Sequence, residues 1–435
     1  MNIMNENKLN VKVVFLLSFG FFASTLAWSI YNNYVPLILE GFIESTMLIG
    51  LIMVIDNIFG VIFQPLFGKW SDNTRTRFGR RMPFILVCLP ICAVLFIMIP
   101  FMKSLWSLMP VLIVFTFVMS AWRTPVVSLM PDLTPGALRS QANGIVNLMG
   151  GLGAVFAFLA GGILYNVWLE RTGSGYPLPF IMSAGLMLLA LAVLAFFVRE
   201  PKHAYFDPSA TKDSEPSANK PEEKAKLFKL ELNKDEKKSF WFILFGILFW
   251  FTGYNAVETF FSLYATNTLG MTGGDASITL AIFSLAFLAF SVPSGFIGAK
   301  IGRRKSIMIG LGGLVVLFIP MVFIADVWLT RFILFGGGFS WAMVNINSLP
   351  MVVRLSGENR IGTFIGYYYF FSFSSQIFSP ILFGFIRDVT GSFKILFLYS
   401  AIAFALAMVC LFFVRHGEDE PEKTTTVQIL DGLGD

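Results

Sequence analysis

Residues 64–85 read QPLFGKWSDNTRTRFGRRMPFI. Within residues 68–81, five basic side chains (Lys69, Arg75, Arg77, Arg80 and Arg81) surround one acid, Asp72. The chain on both sides is strongly apolar. A nucleic-acid patch, a contact with anionic lipid and a moving part of a machine would each use such a cluster, so its surroundings have to decide.

The chain has 435 residues, 56% of them hydrophobic and 14% charged, and 49 are Phe. A soluble domain carries roughly 25% charged residues. With a mean hydropathy of +0.72, an all-α polytopic membrane protein is expected. Twelve apolar stretches are long enough to cross a bilayer: 11–35, 46–70, 83–101, 107–131, 140–169, 177–198, 239–267, 274–299, 306–325, 328–352, 360–388 and 393–415. Helices are expected because lipid offers no partner to an unpaired backbone. The first stretch is too long for a leader's apolar region and reads as a retained span. The charged, Pro-containing segment 199–238 reads as a solvated linker. It separates a bundle at 1–198 from one at 239–415, and the tail 416–435 is expected to be disordered.

If alternate loops share a side, 26 of the 32 Lys and Arg fall on one side of the twelve spans. The positive-inside rule then places both termini and the linker in the cytoplasm of a cell-membrane, multi-pass protein. The opening loop also has an echo. PSGFIGAKIGRRKSIMI (293–309) follows the eighth span as 64–85 follows the second, with Gly302, Arg303 and Arg304 matching Gly79, Arg80 and Arg81. SLMPDLTPGALRSQANG (128–144) is echoed in turn by SLPMVVRLSGENRIGTFIG (348–366). Two six-span halves of like orientation form the parallel repeat of many secondary transporters, with a substrate site between the halves.

On these residues the chain resembles the major facilitator superfamily, whose loop between the second and third helices carries Gly-x-x-x-Asp-(Arg/Lys)-x-Gly-Arg-(Arg/Lys). Gly68, Asp72, Gly79, Arg80 and Arg81 fill that pattern, with four extra residues between Asp72 and Gly79. The longer form, with 123–150, resembles the sucrose–proton symporters and the glycoside–pentoside–hexuronide:cation symporters. Ala299 stands where a second motif Asp would fall, and helix two carries Asp56-Asn57 where plant sucrose carriers have small residues. The resemblance implies two six-helix pseudo-symmetric bundles. It also implies a conformational latch built from Gly68, Asp72, Gly79, Arg80, Arg81, Gly302, Arg303 and Arg304. In that latch Asp72 pairs with a nearby Arg and faces the helix N-terminus near Ile361, where the dipole favours an anion.

A charge near mid-bilayer costs about 2.5–3.5 kcal/mol on insertion scales and points to function. Asp56, Arg123 and Glu258 lie near the middle of spans two, four and seven. A carboxyl group taken out of water favours its protonated form, and a nearby Arg opposes that, which is the chemistry of proton coupling. A structural Asp56–Arg123 pair that only locks helices is the plain alternative. Sugar recognition needs aromatic faces and paired donors and acceptors. In the resembled superfamily, spans one, four, seven and ten line the cavity. There the candidates are Trp28, Asn32, Asn33, Trp250, Tyr254, Asn255, Trp341, Asn345 and Asn347, and Asn143, Asn147, Tyr367 and Gln376 in spans five and eleven are second-rank candidates. Aromatic belts and interhelical hydrogen bonds are the alternative use of these residues.

Gly-rich 147–162 and 335–339 lack a Gly-Lys-Ser/Thr ending and read as helix-packing stretches, not phosphate loops. Cys88, Cys92 and Cys410 lie in apolar runs, and His203 and His416 lie outside the spans, so no disulfide, metal or cofactor is expected. The expected function is proton-coupled sugar (glycoside or disaccharide) symport by alternating access, by a monomer in a lipid bilayer that does not bind nucleic acid. Sodium is the lesser alternative to the proton. A superfamily exporter of drugs or metabolites, a non-transporting membrane sensor and, last, a membrane enzyme are the alternatives. No enzymatic activity is expected.

Overall fold

The computed structural model describes residues 9–200, 234–354 and 361–414. Among them are twelve helices long and apolar enough to cross a membrane. They are α1 (Val11–Glu40), α2 (Thr46–Asn73), α3 (Met82–Phe101), α4 (Leu105–Leu133), α5 (Gln141–Thr172) and α6 (Pro177–Phe197), then α7 (Lys237–Leu269), α8 (Gly273–Ile301), α9 (Arg303–Phe323), α10 (Val327–Arg354), α11 (Gly362–Thr390) and α12 (Ile395–Phe412). The helices overrun several expected edges. α1 reaches Glu40 instead of residue 35, and the turn leading into α7 starts at Lys234, inside the expected linker. Hydropathy registers only the lipid-crossing part, whereas Lys and Glu continue a helix readily into water. The rest of the expected linker, 201–233, and the tail 415–435 lie outside the described residues.

Side-chain caps set several starts. Asn10 accepts from the Val13 N–H (3.2 Å), Ser45 from Leu48 (3.3 Å), and Ser104 and Ser107 form a capping box at α4. Such caps take up N–H groups that the first helical turn leaves free.

α1–α6 and α7–α12 form two bundles. Rings fill the first: Phe115 stacks on Tyr31 (5.5 Å) and on Phe96 (5.0 Å), and Phe96 meets Phe180 (4.7 Å). Phe397 is central to the second, edge-on to Tyr264 (4.8 Å) and Phe318 (5.1 Å). In lipid, helices associate through close packing more than through water exclusion. Residues 147–162 meet that need on two sides of α5. A Cβ at Gly153 would lie 2.5 Å from the Phe22 carbonyl oxygen of α1, and one at Gly162 would lie 2.6 Å from the Gly274 carbonyl oxygen of α8.

We call the face with the 74–81 turn and Gly302 the basic face, and the other the far face. Among the described residues, the hydrogen bonds between bundles lie toward the far face. Asn267 of α7 donates to Glu40 of α1 (2.7 Å). Asn166 of α5 donates to Asp275 (3.1 Å) and accepts from Thr272 (2.7 Å), while Ser277 donates to the Phe158 carbonyl (2.9 Å). α11 lies along the Thr46–Met53 part of α2 and leaves most of Ile55–Asn73. The bundles therefore meet at the far face and separate toward the basic face.

The α5–α8 approach depends on the missing side chain. Gly162→Val should destabilise the protein by about 1–3 kcal/mol through overpacking. Gly185→Val, where a Cβ meets nothing within 4 Å, should be neutral. Melting curves of the two variants in detergent check this.

Candidate coupling and substrate site

The helix of α2 is interrupted at Val54, and a second segment runs from Ile55 to Asn73. Asp56 occupies the first turn of that segment, and its Oδ1 accepts from the Asn57 backbone N–H (2.6 Å) and from Asn57 Nδ2 (2.9 Å). An Asp side chain competes with the helix for nearby N–H groups. The interruption therefore places a carboxylate at the positive end of a helical segment, deep in a membrane span.

Arg123 of α4 and Glu258 of α7 both lie in the electrostatic neighbourhood of Asp56. Arg123 and Asp56 do not close to an ion pair within 4.0 Å. The hydroxyls flanking Arg123 are bonded elsewhere: Ser120 donates to the Thr116 carbonyl (3.0 Å) and Thr124 to the Ser120 carbonyl (3.2 Å). Glu258 faces the Asn32 amide of α1 across the gap between bundles, with Tyr254 one turn away on its own helix. Three charged groups from three helices and both bundles thus share one zone.

Aromatic rings flank that zone. Tyr254 lies flat on Trp341 of α10, with centroids 4.2 Å apart and planes 6° from parallel. On the other bundle, Trp28 stands edge-on to Tyr31 (5.4 Å). Asn345, one turn beyond Trp341, is partly exposed. The expected substrate set divides here. Trp28, Asn32 and Tyr254 belong to this neighbourhood, Trp341 is buried against the Tyr254 ring, and Asn345 stands one turn beyond it. Trp250 is fully buried, and Asn33 is buried with neither amide atom hydrogen-bonded. Asn255 donates to Ser375 (3.2 Å), and Asn347 donates to the Ser294 carbonyl (3.1 Å), Ser306 (3.0 Å) and the Met343 carbonyl (3.0 Å). Those two amides tie helices together, a use that helical spacing alone does not separate from cavity lining. Of the residues held in reserve, Asn143 and Asn147 are exposed, Gln376 is partly exposed, and Tyr367 packs on Phe240 (5.5 Å).

At the basic face, Asp72 pairs with Arg81 (2.5 Å) and more loosely with Arg80 (4.0 Å). Both arginines also hold Asp132 at the end of α4, at 2.5 and 2.9 Å. Arg81 further donates to Ser71 and to the Gly68 carbonyl (3.4 Å). Glu200, just after α6, accepts from the N–H groups of Arg80 (2.6 Å), Arg81 (2.8 Å) and Met82 (2.8 Å), capping α3. Gly79 (φ +107°) makes that cradle possible, since a Cβ there would collide with the Glu200 side chain. The second copy is wired differently. Gly302 (φ +97°) makes the turn, and Arg304 donates to the Leu411 and Phe412 carbonyls (both 2.9 Å), capping the end of α12. Arg303 lies near Arg354. The start of α11, which Asp72 is expected to face, adjoins 355–360, outside the described residues.

Sequence reasoning did not single out Tyr31, which lies near Asp56, or Glu200. Tyr31 was detectable three residues after Trp28, on the same helix face. Glu200 carried no local signal, because its partners are 118 to 120 positions away.

Two bundles separated on one face, with charged groups at mid-depth between them, define a membrane transporter of small molecules. Residues 17–373 and 259–431 match the Major Facilitator Superfamily, and the chain belongs to that family. It is 25% identical over 366 residues to Multidrug resistance protein MdtG of Proteus mirabilis, covering 82% of this chain and 83% of that one. It is 29% identical over 170 residues to human Proton-associated sugar transporter A, covering 35% of this chain and 22% of that one. The crystal structure of a bacterial homologue of the human lysosomal transporter Spinster, inward-facing and occupied, superposes with a TM-score of 0.67 at 16% identity, over 93% of this chain and 94% of that one.

Asp132 neutralises two largely buried guanidinium groups. Asp132→Ala should cost about 3–5 kcal/mol, because Asp72 alone then faces two largely buried guanidinium groups and one positive charge stays uncompensated. Thermal unfolding and yield of monodisperse protein in detergent measure it.

Proposed function

We propose that the chain is a proton-coupled sugar symporter working by alternating access. The observation that carries this reading is the convergence of Asp56, Arg123 and Glu258 between the bundles, beside the stacked Tyr254–Trp341 pair. Two carboxyl groups and one guanidinium can exchange a proton as the bundles move, and a flat aromatic surface beside amides suits a glycoside. Asp56 and Glu258 bind and release the proton, and Arg123 tunes them. Trp28, Asn32, Tyr254, Trp341 and Asn345 contact the sugar. The basic face is the cytoplasmic one by its Lys and Arg, so the separation of the bundles there corresponds to an inward-open state.

A second reading has its own support. The MdtG likeness runs along 82% of the chain, while the sugar-transporter likeness covers 35%. Proton-driven efflux of a drug or metabolite would use the same charged triad with the opposite coupling, and the aromatic rings would then bind an apolar cargo.

Proteoliposomes supplied externally with a panel of labelled mono- and disaccharides, under separate proton and sodium gradients, distinguish these readings. Uphill sugar uptake with the proton gradient is expected. Extrusion with no sugar uptake would favour the exporter. Glu258→Gln and Asp56→Asn should each abolish accumulation while leaving downhill exchange, and sustained accumulation in Glu258→Gln would overturn its assignment. In the same assay, Asp72→Asn should slow turnover without abolishing substrate binding.

A further inference from the structure

The seam between α2 and α11 differs from those between α1 and α7 and between α5 and α8. Asp388, near the far-face end of α11, reaches into the opposite bundle and caps the start of α2. Its Oδ1 accepts from the Thr46 N–H (2.8 Å), and its Oδ2 accepts from the Met47 N–H (3.0 Å) and from the Ser45 hydroxyl (2.7 Å). Ser45 in turn accepts from the Leu48 N–H (3.3 Å), and the Ile49 N–H bonds to the Ser45 carbonyl (3.2 Å). Of the first four N–H groups of α2, two are therefore satisfied only from the other bundle. Ionised, the carboxylate also meets the positive end of the α2 dipole. Arg387 lies 3.4 Å from Asp388 and stacks on Phe393 (4.3 Å). The backbones run close here as well: a Cβ at Gly50 would lie 2.5 Å from the Pro380 carbonyl oxygen, and one at Gly384 would lie 2.6 Å from that of Thr46.

α2 and α11 run in opposite directions, so the start of each lies beside the end of the other. Asp72 ends α2 at the basic face, and Asp388 ends α11 at the far face. In the present state Asp388 holds the partner helix, while Asp72 is engaged within its own loop.

We propose that Asp388 is the far-face lock of the transport cycle: its grip on the start of α2 holds the far face shut, and its release lets that face open. This rests on the alternating-access reading above. The lock is a contact between bundles that rigid movement can make and break, because neither helix has to unfold when it parts. Once released, the Thr46 and Met47 N–H groups face water, which can replace the carboxylate.

The test measures distances between spin labels by pulsed electron resonance, after replacing Cys88, Cys92 and Cys410. One pair, Ser174→Cys with Lys394→Cys, reports on the far face. A second pair, Arg75→Cys with Lys305→Cys, reports on the basic face. All four positions are exposed. Asp388→Asn should raise the ratio of far-open to far-closed protein about tenfold, equivalent to about 1.4 kcal/mol, with the basic-face distance shortening in step. Thr46→Pro supplies an independent lesion. It removes one N–H donor to Asp388, yet Pro is favoured at the first helical position, and Ser45 is already extended (φ −77°, ψ 115°) as a residue before Pro requires. It should shift the ratio in the same direction. Distributions superimposable on the parent's in both variants would overturn the lock. Alternating access is judged separately, by whether the parent's own distances move when a transported sugar and a proton gradient are supplied.

Discussion

A charged side chain deep in hydrocarbon is costly, and this chain places Asp56, Arg123 and Glu258 within three of its spans. Much of the architecture reads as a way to keep them solvated or paired without fixing them. α2 gives up one helical connection at Val54, so that Asp56 gains an N–H and an amide from Asn57. Arg123 is near Asp56 but not closed onto it. Glu258 looks across to Asn32 in the other bundle. A tight Asp56–Arg123 pair would satisfy both charges and leave neither free to respond. The looser arrangement leaves both groups open to other partners, as the proton-coupling proposal requires.

Two kinds of contact hold the helices around that zone. Within the first bundle, α5 presses Gly153 onto the backbone of α1, where no side chain intervenes and little relative movement is possible. Between bundles, polar groups at the far face dominate: Glu40 with Asn267, Asn166 with Thr272 and Asp275, and Asp388 with the start of α2. Interhelical hydrogen bonds in membranes average about 0.6 kcal/mol, so such a seam can part and re-form. The α5–α8 approach at Gly162 combines both characters, a backbone contact flanked by polar groups.

The fold was legible because it follows from composition and repetition. Twelve apolar runs, a one-sided distribution of Lys and Arg, and the echo of 64–85 in 293–309 required no knowledge of packing. The charged site was legible for the same reason, since Asp56, Arg123 and Glu258 are conspicuous among apolar neighbours. The amides were less so. Asn255 and Asn345 occupy corresponding helices and both look suited to a polar ligand, yet Asn255 bonds to Ser375 of α11. The sequence shows which face of a helix a residue occupies, but not whether that face meets another helix or a cavity. Glu200 and Asp388 were beyond reach for a stricter reason. Each acts on backbone N–H groups, which every residue type but Pro supplies, so no pattern at the receiving end identifies the partner.

The two basic turns are wired unequally among the described residues. In the first half, Arg80 and Arg81 are shared between two carboxylates, Asp72 and Asp132, with Arg80 closer to Asp132 (2.5 Å) than to Asp72 (4.0 Å). Asp72 can leave that cluster without stripping either guanidinium of a counter-charge, because Asp132 remains. In the second half, Ala299 removes the corresponding acid, and Arg304 is bound to the neutral carbonyls that end α12. The repeat therefore preserves the turn, through Gly79 and Gly302 with their positive φ. It does not preserve the chemistry, and the second copy serves to fix α9 to α12 within one bundle. On the second half, a carboxylate that bridges the bundles stands instead at the opposite end of α11, in Asp388, bonded to the start of α2.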